Sequence, residues 1–258
     1  MKIGVIGTGI MSSNIVVGFC EFGCQHSFIL SPRNRERSAA LAAKYENVAV
    51  AKDNQDVLDN CDVVILSVLP QTAEGILSEL HFRKELKVIS IIPILGLEKI
   101  RSIIGETAIL VDVLPLPFIS KRMGPIVQCP PNSEIEALLA PMGNLIVVNN
   151  PQEISVMRTI TALMSPYYEL IYSVVAWSGE NGLGEQQAKA YTTSFFSALA
   201  YMASQTGEGK LKELAEEMTP GGLNWQAVNY LKEQGDFSHW QTALTDVMER
   251  VTGVKKDK

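Results

Sequence analysis

The sequence predicts an α/β chain, with an open parallel sheet over residues 1–150 and a helical region over 151–258. Three observations carry this. Short apolar runs alternate with helical patterns through the first half, the pattern of a parallel sheet with crossover helices. One run, Asp62-Val63-Val64-Ile65-Leu66-Ser67-Val68, is nearly continuous and β-branched, which suits a strand buried on both faces. Beyond Pro151 the spacing turns helical, with breaks at glycine and proline.

Taken in order, residues 2–6 read as a first strand that ends in glycine, and 10–22 as a helix. Ser27-Phe28-Ile29-Leu30 is a strand, 33–45 an alanine-rich helix, Val48-Ala49-Val50 a brief strand and 53–59 a short helix. The strand at 62–68 leads to a helix at about 72–80, the strand Val88-Ile89-Ser90-Ile91-Ile92 and a helix from Leu97. Leu145-Ile146-Val147-Val148 closes the first half. Helices are expected over 152–178, 184–206, 208–217, 223–234 and 237–252.

Composition narrows the function. With 258 residues, 47% hydrophobic and 19% charged, the chain has the make-up of an ordinary globular enzyme. A net charge of −6 gives no bulk field to hold nucleic acid or an anionic membrane. Lys255, Lys256 and Lys258 read as a solvated tail. The opening apolar run is cut by glycines too early for a signal segment or a bilayer span, so a cytoplasmic protein is expected. Cys20, Cys24, Cys61 and Cys129 form no CxxC pair, and His26, His81 and His239 are isolated. Free thiols and no metal site are expected.

The strongest local signal is Gly7-Thr8-Gly9-Ile10-Met11-Ser12, set between a strand and a helix. It follows the logic of GxGxxG, with Ser12 in the third glycine position. Gly7 permits the tight turn, Gly9 lets a pyrophosphate approach the backbone, and a small residue at 12 keeps helix and strand close. Gly7, Thr8, Gly9, Ile10 and Met11 are therefore candidate cofactor residues in a Rossmann domain, with phosphates at the helix N-terminus. The second strand ends in Ser31-Pro32-Arg33-Asn34-Arg35, where NAD-binding chains carry an acid for the ribose. Ser31, Arg33 and Asn34 suit a 2′-phosphate instead, which favours NADP, although the segment also reads as a solvated arginine loop. Two more strand ends reach the same crevice, Ser67-Val68-Leu69-Pro70-Gln71 and Ile91-Ile92-Pro93-Ile94. They read equally as turns or as contacts to ribose and nicotinamide.

Gly7-Thr8-Gly9-Ile10-Met11, Asp62 through Gln71, Val88-Ile89-Ser90-Ile91 and Thr219-Pro220-Gly221-Gly222 fall in the order and spacing of the pyrroline-5-carboxylate reductases. The chain resembles that family over nearly its whole length. The resemblance implies a Rossmann domain followed by an all-α dimerisation domain, with the active site between one subunit's cofactor and the helical domains. It also implies reduction of a cyclic imine carboxylate to proline. Several positions depart from the family pattern. Leu114-Pro115-Leu116-Pro117 replaces a segment with an asparagine, Asp112 stands where an arginine is common, and Leu69 replaces a usual lysine. Ala162-Leu163-Met164-Ser165-Pro166 lacks the usual glycines, and Leu223-Asn224 stands where two threonines are usual.

The loop before the 223–234 helix carries its own physical reading. Thr219, Gly221, Gly222, Leu223 and Asn224 could hold a substrate carboxylate through backbone N–H groups. Asn224 is the candidate catalytic residue, since its amide both donates and accepts near an imine nitrogen. A plain helix cap explains the same residues. The helical half is too apolar to stand solvated, so a homodimer or higher homo-oligomer is expected, burying Leu163, Tyr167, Phe195, Phe196 and Leu199. Three functions fit: a pyrroline-5-carboxylate reductase, a paralogous NADPH-dependent reductase of another small imine or carbonyl, and a non-catalytic NADP-binding protein.

Overall fold

The computed structural model describes residues 1–23, 25–107 and 109–254; Cys24 and the Lys255, Lys256, Lys258 cluster lie outside them. Strands β1 (Lys2–Ile6), β2 (Ser27–Leu30), β3 (Val48–Val50), β4 (Val63–Leu66) and β5 (Lys87–Ser90) fall where alternation places them. Between them lie α1 (Ile10–Cys20), α2 (Arg35–Lys44), α3 (Asn54–Asp59) and α4 (Pro70–Ser78), and after β5 comes α5 (Leu97–Ile104). In β4 the period of two divides a run of apolar side chains between two layers. Val63 and Ile65 join α1 residues Ile15, Val16 and Phe19 in one cluster. Val64 and Leu66 join Val57, Leu77 and Ile100, from α3, α4 and α5, in the other. Each fully buried side chain of this kind contributes about 1.5–3 kcal/mol.

Residues 105–144 hold elements that the sequence pattern did not separate: β6 (Ile109–Leu114), β7 (Pro125–Cys129) and α6 (Ser133–Leu139). With β8 (Asn144–Val147) they extend the sheet to eight strands in the order β3-β2-β1-β4-β5-β6-β7-β8. The sheet is not wholly parallel: β7 runs antiparallel to β6, and β8 pairs parallel to β7. The chain resolves into two compact units, Met1–Arg158 and Thr159–Lys258. The first extends past the expected break at 150, because α7 (Pro151–Ile160) seats Ile154 against Val127, Cys129 and Val148.

The helix expected over 152–178 is two. A short 3-10 turn, Thr161–Leu163, separates α7 from α8 (Met164–Glu180). Pro166 has no N–H to donate, which a first helical turn tolerates and a helix interior does not. In the second unit α8 packs on α9 (Glu185–Ser204), with the Tyr167 and Phe196 rings 6.1 Å apart. The helices α10 (Leu211–Glu216), α11 (Leu223–Glu233) and α12 (Asp236–Thr252) follow. No helix of the described residues is long and apolar enough to cross a membrane.

Candidate functional site

The strand order sets the carboxyl ends of β2, β1, β4 and β5 side by side, the edge where open α/β sheets take ligands. Gly7 leaves β1 at φ +94°, and a Cβ there would stand 2.4 Å from the Ser67 carbonyl oxygen. Only glycine lets the β1 turn lie this close to the end of β4. At Gly9 a Cβ would meet nothing within 4 Å, so open space lies over the start of α1. Ser12 holds the turn from inside: its hydroxyl accepts from Gly9 N–H at 2.9 Å and donates to the Gly7 carbonyl at 2.7 Å. The first helical bond runs from Ser13 N–H to the Gly9 carbonyl, at 3.1 Å. That leaves the N–H groups of Ile10 and Met11 outside the helical ladder, as phosphate donors must be.

The end of β2 divides the three residues assigned to a 2′-phosphate. Ser31 is fully buried, and its hydroxyl accepts from Gly7 N–H at 3.0 Å. Thr8, also buried, donates to the Ser31 carbonyl at 3.1 Å. These two hydroxyls lock the glycine turn onto β2, so Ser31 is a support for the turn and does not offer its hydroxyl to a ligand. Asn34 caps α2, its Oδ1 accepting from Arg37 N–H at 3.3 Å. Arg33 is exposed.

At the end of β4, Ser67 and Val68 are half-buried, Leu69 caps α4 and Pro70 is its first residue. Three aliphatic side chains stand exposed along this edge: Ile10 at 64%, Leu69 at 69% and Ile94 at 50%. Ile94 holds φ 69°, a left-handed conformation that a β-branched residue adopts only under constraint.

Asp112, buried on β6, faces Arg158 of α7: one guanidinium nitrogen donates to both carboxylate oxygens, at 2.9 and 3.0 Å. Burial nonetheless pushes the Asp112 carboxyl above its ordinary range, outweighing the pull of Arg158. Burial also pushes the Cys61 thiol up to about 11, so it is no nucleophile at neutral pH.

In the second unit, Gly221 takes φ +75° and Gly222 donates its N–H to the Thr219 carbonyl at 2.9 Å. Gly222 is the N-cap of α11, and no side chain caps the helix. The Gly222 amide is thus committed to the turn, and the donors of the first helical turn that lie outside the helical ladder belong to Leu223, Asn224 and Trp225. Thr219, Gly221, Leu223 and Asn224 are all exposed.

Sequence reasoning missed Lys52 and left Arg35 out of the site. Both line a pocket with Pro32, Arg33, Asp53 and Asn54. The parallel pairing of β2 with β3 was the signal that could have brought them together.

A family model described as NADP oxidoreductase, coenzyme F420-dependent, matches residues 2–93. Over 249 residues the chain is 26% identical to a pyrroline-5-carboxylate reductase of Aquifex aeolicus, covering 91% of this chain and 90% of that one. A 1-pyrroline-5-carboxylate reductase structure from Streptococcus pyogenes superposes with a TM-score of 0.85 at 21% identity, covering 98% of this chain and 99% of its own. A pyrroline carboxylate reductase of Plasmodium falciparum with NADP bound gives the same TM-score at 16% identity, covering 98% and 97%. From its glycine turn to its last helices, the chain is similar to pyrroline-5-carboxylate reductases.

Proposed function

We propose that the chain is an NADPH-dependent reductase of a cyclic imine carboxylate, converting 1-pyrroline-5-carboxylate to proline. The observation that carries this is the glycine turn, open over Gly9, beside a β2 end rich in arginine and free of acid. The likeness to reductases of that name along nearly the whole chain supports it. Bound NADPH would supply the hydride for the carbon of a protonated C=N bond. The protein's part is to hold and orient, and a protonated imine needs no strong general acid. Gly7, Thr8 and Ser31 fix the turn, while Gly9, Ile10 and Met11 receive the pyrophosphate. Arg33 and Asn34 face the 2′-phosphate, and Ser67, Val68, Leu69 and Pro70 line the ribose and nicotinamide. The Thr219–Asn224 loop holds the substrate carboxylate, and Asn224 hydrogen-bonds the imine nitrogen.

We assign residues 151–258 to dimerisation and substrate binding. Tyr167, Phe195 and Leu199 stand exposed in the single chain, and water-facing apolar area on that scale calls for a partner surface. The protein works as a homodimer in the cytoplasm. A second reading, a paralogous reductase of a more apolar imine, is favoured by the exposed Ile10, Leu69 and Ile94.

NADPH oxidation with 1-pyrroline-5-carboxylate, beside a panel of cyclic imines, tests both. The carboxylate substrate should turn over fastest, and Asn224→Leu should slow it with little change in NADPH affinity. Faster turnover of an apolar imine selects the second reading. NADPH binding with no turnover of any imine selects a non-catalytic protein.

A further inference from the structure

We propose that Lys52 is a cofactor-specificity residue, closing with Arg33 and Arg35 a three-cation pocket around the 2′-phosphate of NADPH. The proposal rests on the cofactor reading above and adds the pocket's second wall. β2 and β3 run parallel, pairing Phe28 with Val48, Ile29 with Ala49 and Leu30 with Val50. Ala51 N–H then donates to the Leu30 carbonyl at 2.9 Å. The two segments leaving these strands therefore start level. They flank an open pocket of about 390 Å³, with Pro32, Arg33 and Arg35 on one side and Lys52, Asp53 and Asn54 on the other.

The cations of this pocket outnumber its acid three to one. Arg33, Arg35 and Lys52 form no ion pair among the described residues. The one acid in the lining, Asp53, turns its Oδ1 to Asp56 N–H at 2.8 Å. Asp56 itself accepts from the backbone N–H of Lys52 at 3.0 Å and from the Asn60 amide at 2.9 Å. Both carboxylates thus accept N–H bonds of the β3–α3 segment. Like charges gathered in one concavity repel one another until an anion joins them. A phosphate monoester, with a charge of about −1.5 to −2, is the group that answers three cations. The ribose hydroxyl of NADH offers no charge to any of them.

On the first wall the Ser31 hydroxyl is buried in the glycine turn and the Asn34 Oδ1 caps α2, which leaves the two arginines to meet a phosphate from that side. Arginine supplies a planar fork on one side, and lysine a compact point charge from the other. Lys52 is exposed and, among the described residues, its side chain forms no hydrogen bond or ion pair, so replacing it leaves the fold in place.

Calorimetric titration of the full chain with NADPH, NADH, 2′,5′-ADP and 5′-AMP tests the proposal. The wild type should prefer the phosphorylated member of each pair. Lys52→Ala and Lys52→Gln should each weaken NADPH and 2′,5′-ADP by about tenfold, and leave NADH and 5′-AMP unchanged. Lys52→Glu should weaken the phosphorylated pair further, and Lys52→Arg should restore it. A wild type that prefers NADPH, with Lys52→Ala keeping the same ratio, overturns the role of Lys52 and leaves the reductase reading standing. Equal weakening of all four ligands overturns it too, since the effect then has nothing to do with the 2′-phosphate. A wild type that binds neither dinucleotide removes the cofactor reading together with the pocket.

Discussion

Residues 1–158 bury apolar side chains on both faces of their sheet, whereas among the described residues of 159–254 Ala188 is the only buried apolar one. The helical unit is not short of apolar residues. Trp177, Tyr191, Phe195, Leu199, Trp225 and Tyr230 are all large and all exposed. A sheet covered by helices closes its own core, because each strand meets side chains above and below. A run of helices with apolar residues facing outward closes its core only against another surface. Chains of that kind often have no stable folded monomer.

The largest expected effect breaks this comparison at the unit boundary. Residues 1–158 expressed alone should melt cooperatively by circular dichroism. Residues 159–258 alone should show no cooperative transition at low concentration, or should assemble with themselves. The full chain should sediment as a dimer. A cooperative melt from a monomeric 159–258 would refute the idea that this unit lacks its own core.

The same contrast explains what the sequence made legible. The β1–α1 turn could be read because Gly7 and Ser12 answer local demands that the structure displays, a turn at positive φ and a hydroxyl that ties it from inside. β4 could be read because an apolar, β-branched run has few other uses. β6 and β7 were harder. Asp112 interrupts the first, and the second opens on Pro125 and carries the fully buried Gln128, a residue type associated with surfaces. α6 carries its own signal in Asn132, which caps it by accepting from Ile135 N–H at 3.2 Å, but it lies between strands that the pattern did not separate. Sequence does not say which way the Ser31 hydroxyl turns, and in the structure it turns inward to Gly7 N–H. Lys52 was missed because its nearness to Arg33 depends on the pairing of β2 with β3, which local pattern does not encode.

The next effect sharpens the comparison from within the first unit. Arg158→Met strands the buried Asp112 carboxylate and should cost about 3–5 kcal/mol at neutral pH, measured by urea unfolding. The sign of the pH dependence is fixed by the folded-state shift. Burial already holds the Asp112 carboxyl above its ordinary range, and losing Arg158 raises it further. A raised carboxyl favours the fold below its ordinary range and loses that contribution as pH rises through the folded value. The deficit of the variant should therefore shrink as pH falls into the carboxylate range. A deficit that grows on acidification would mean that the pair contributes nothing of this kind.

Smaller again is a pair of glycine variants that separate folding from binding on one turn. Gly7→Ala places a methyl against the Ser67 carbonyl at φ +94° and should cost about 2–4 kcal/mol. Gly9→Val projects into open space, so it should keep the wild-type melting temperature and lose NADPH. Retained NADPH binding in Gly9→Val would mean that this space is not where the pyrophosphate lies.

The smallest effect runs against the usual direction of a core-to-glycine change. Ile94 is half exposed and holds φ 69°, so its side chain gives up little burial when removed. A left-handed β-branched residue carries about 1–3 kcal/mol of strain. Glycine releases that strain and returns about 0.5–1 kcal/mol of it as backbone entropy. Ile94→Gly should therefore leave the first unit more stable by about 1 kcal/mol, read as a raised melting temperature of the 1–158 segment. A loss of stability would show that the Ile94 side chain is held by contacts worth more than its strain. A gain in stability with a lower rate toward apolar imines would instead place the strain at the reacting end of the crevice.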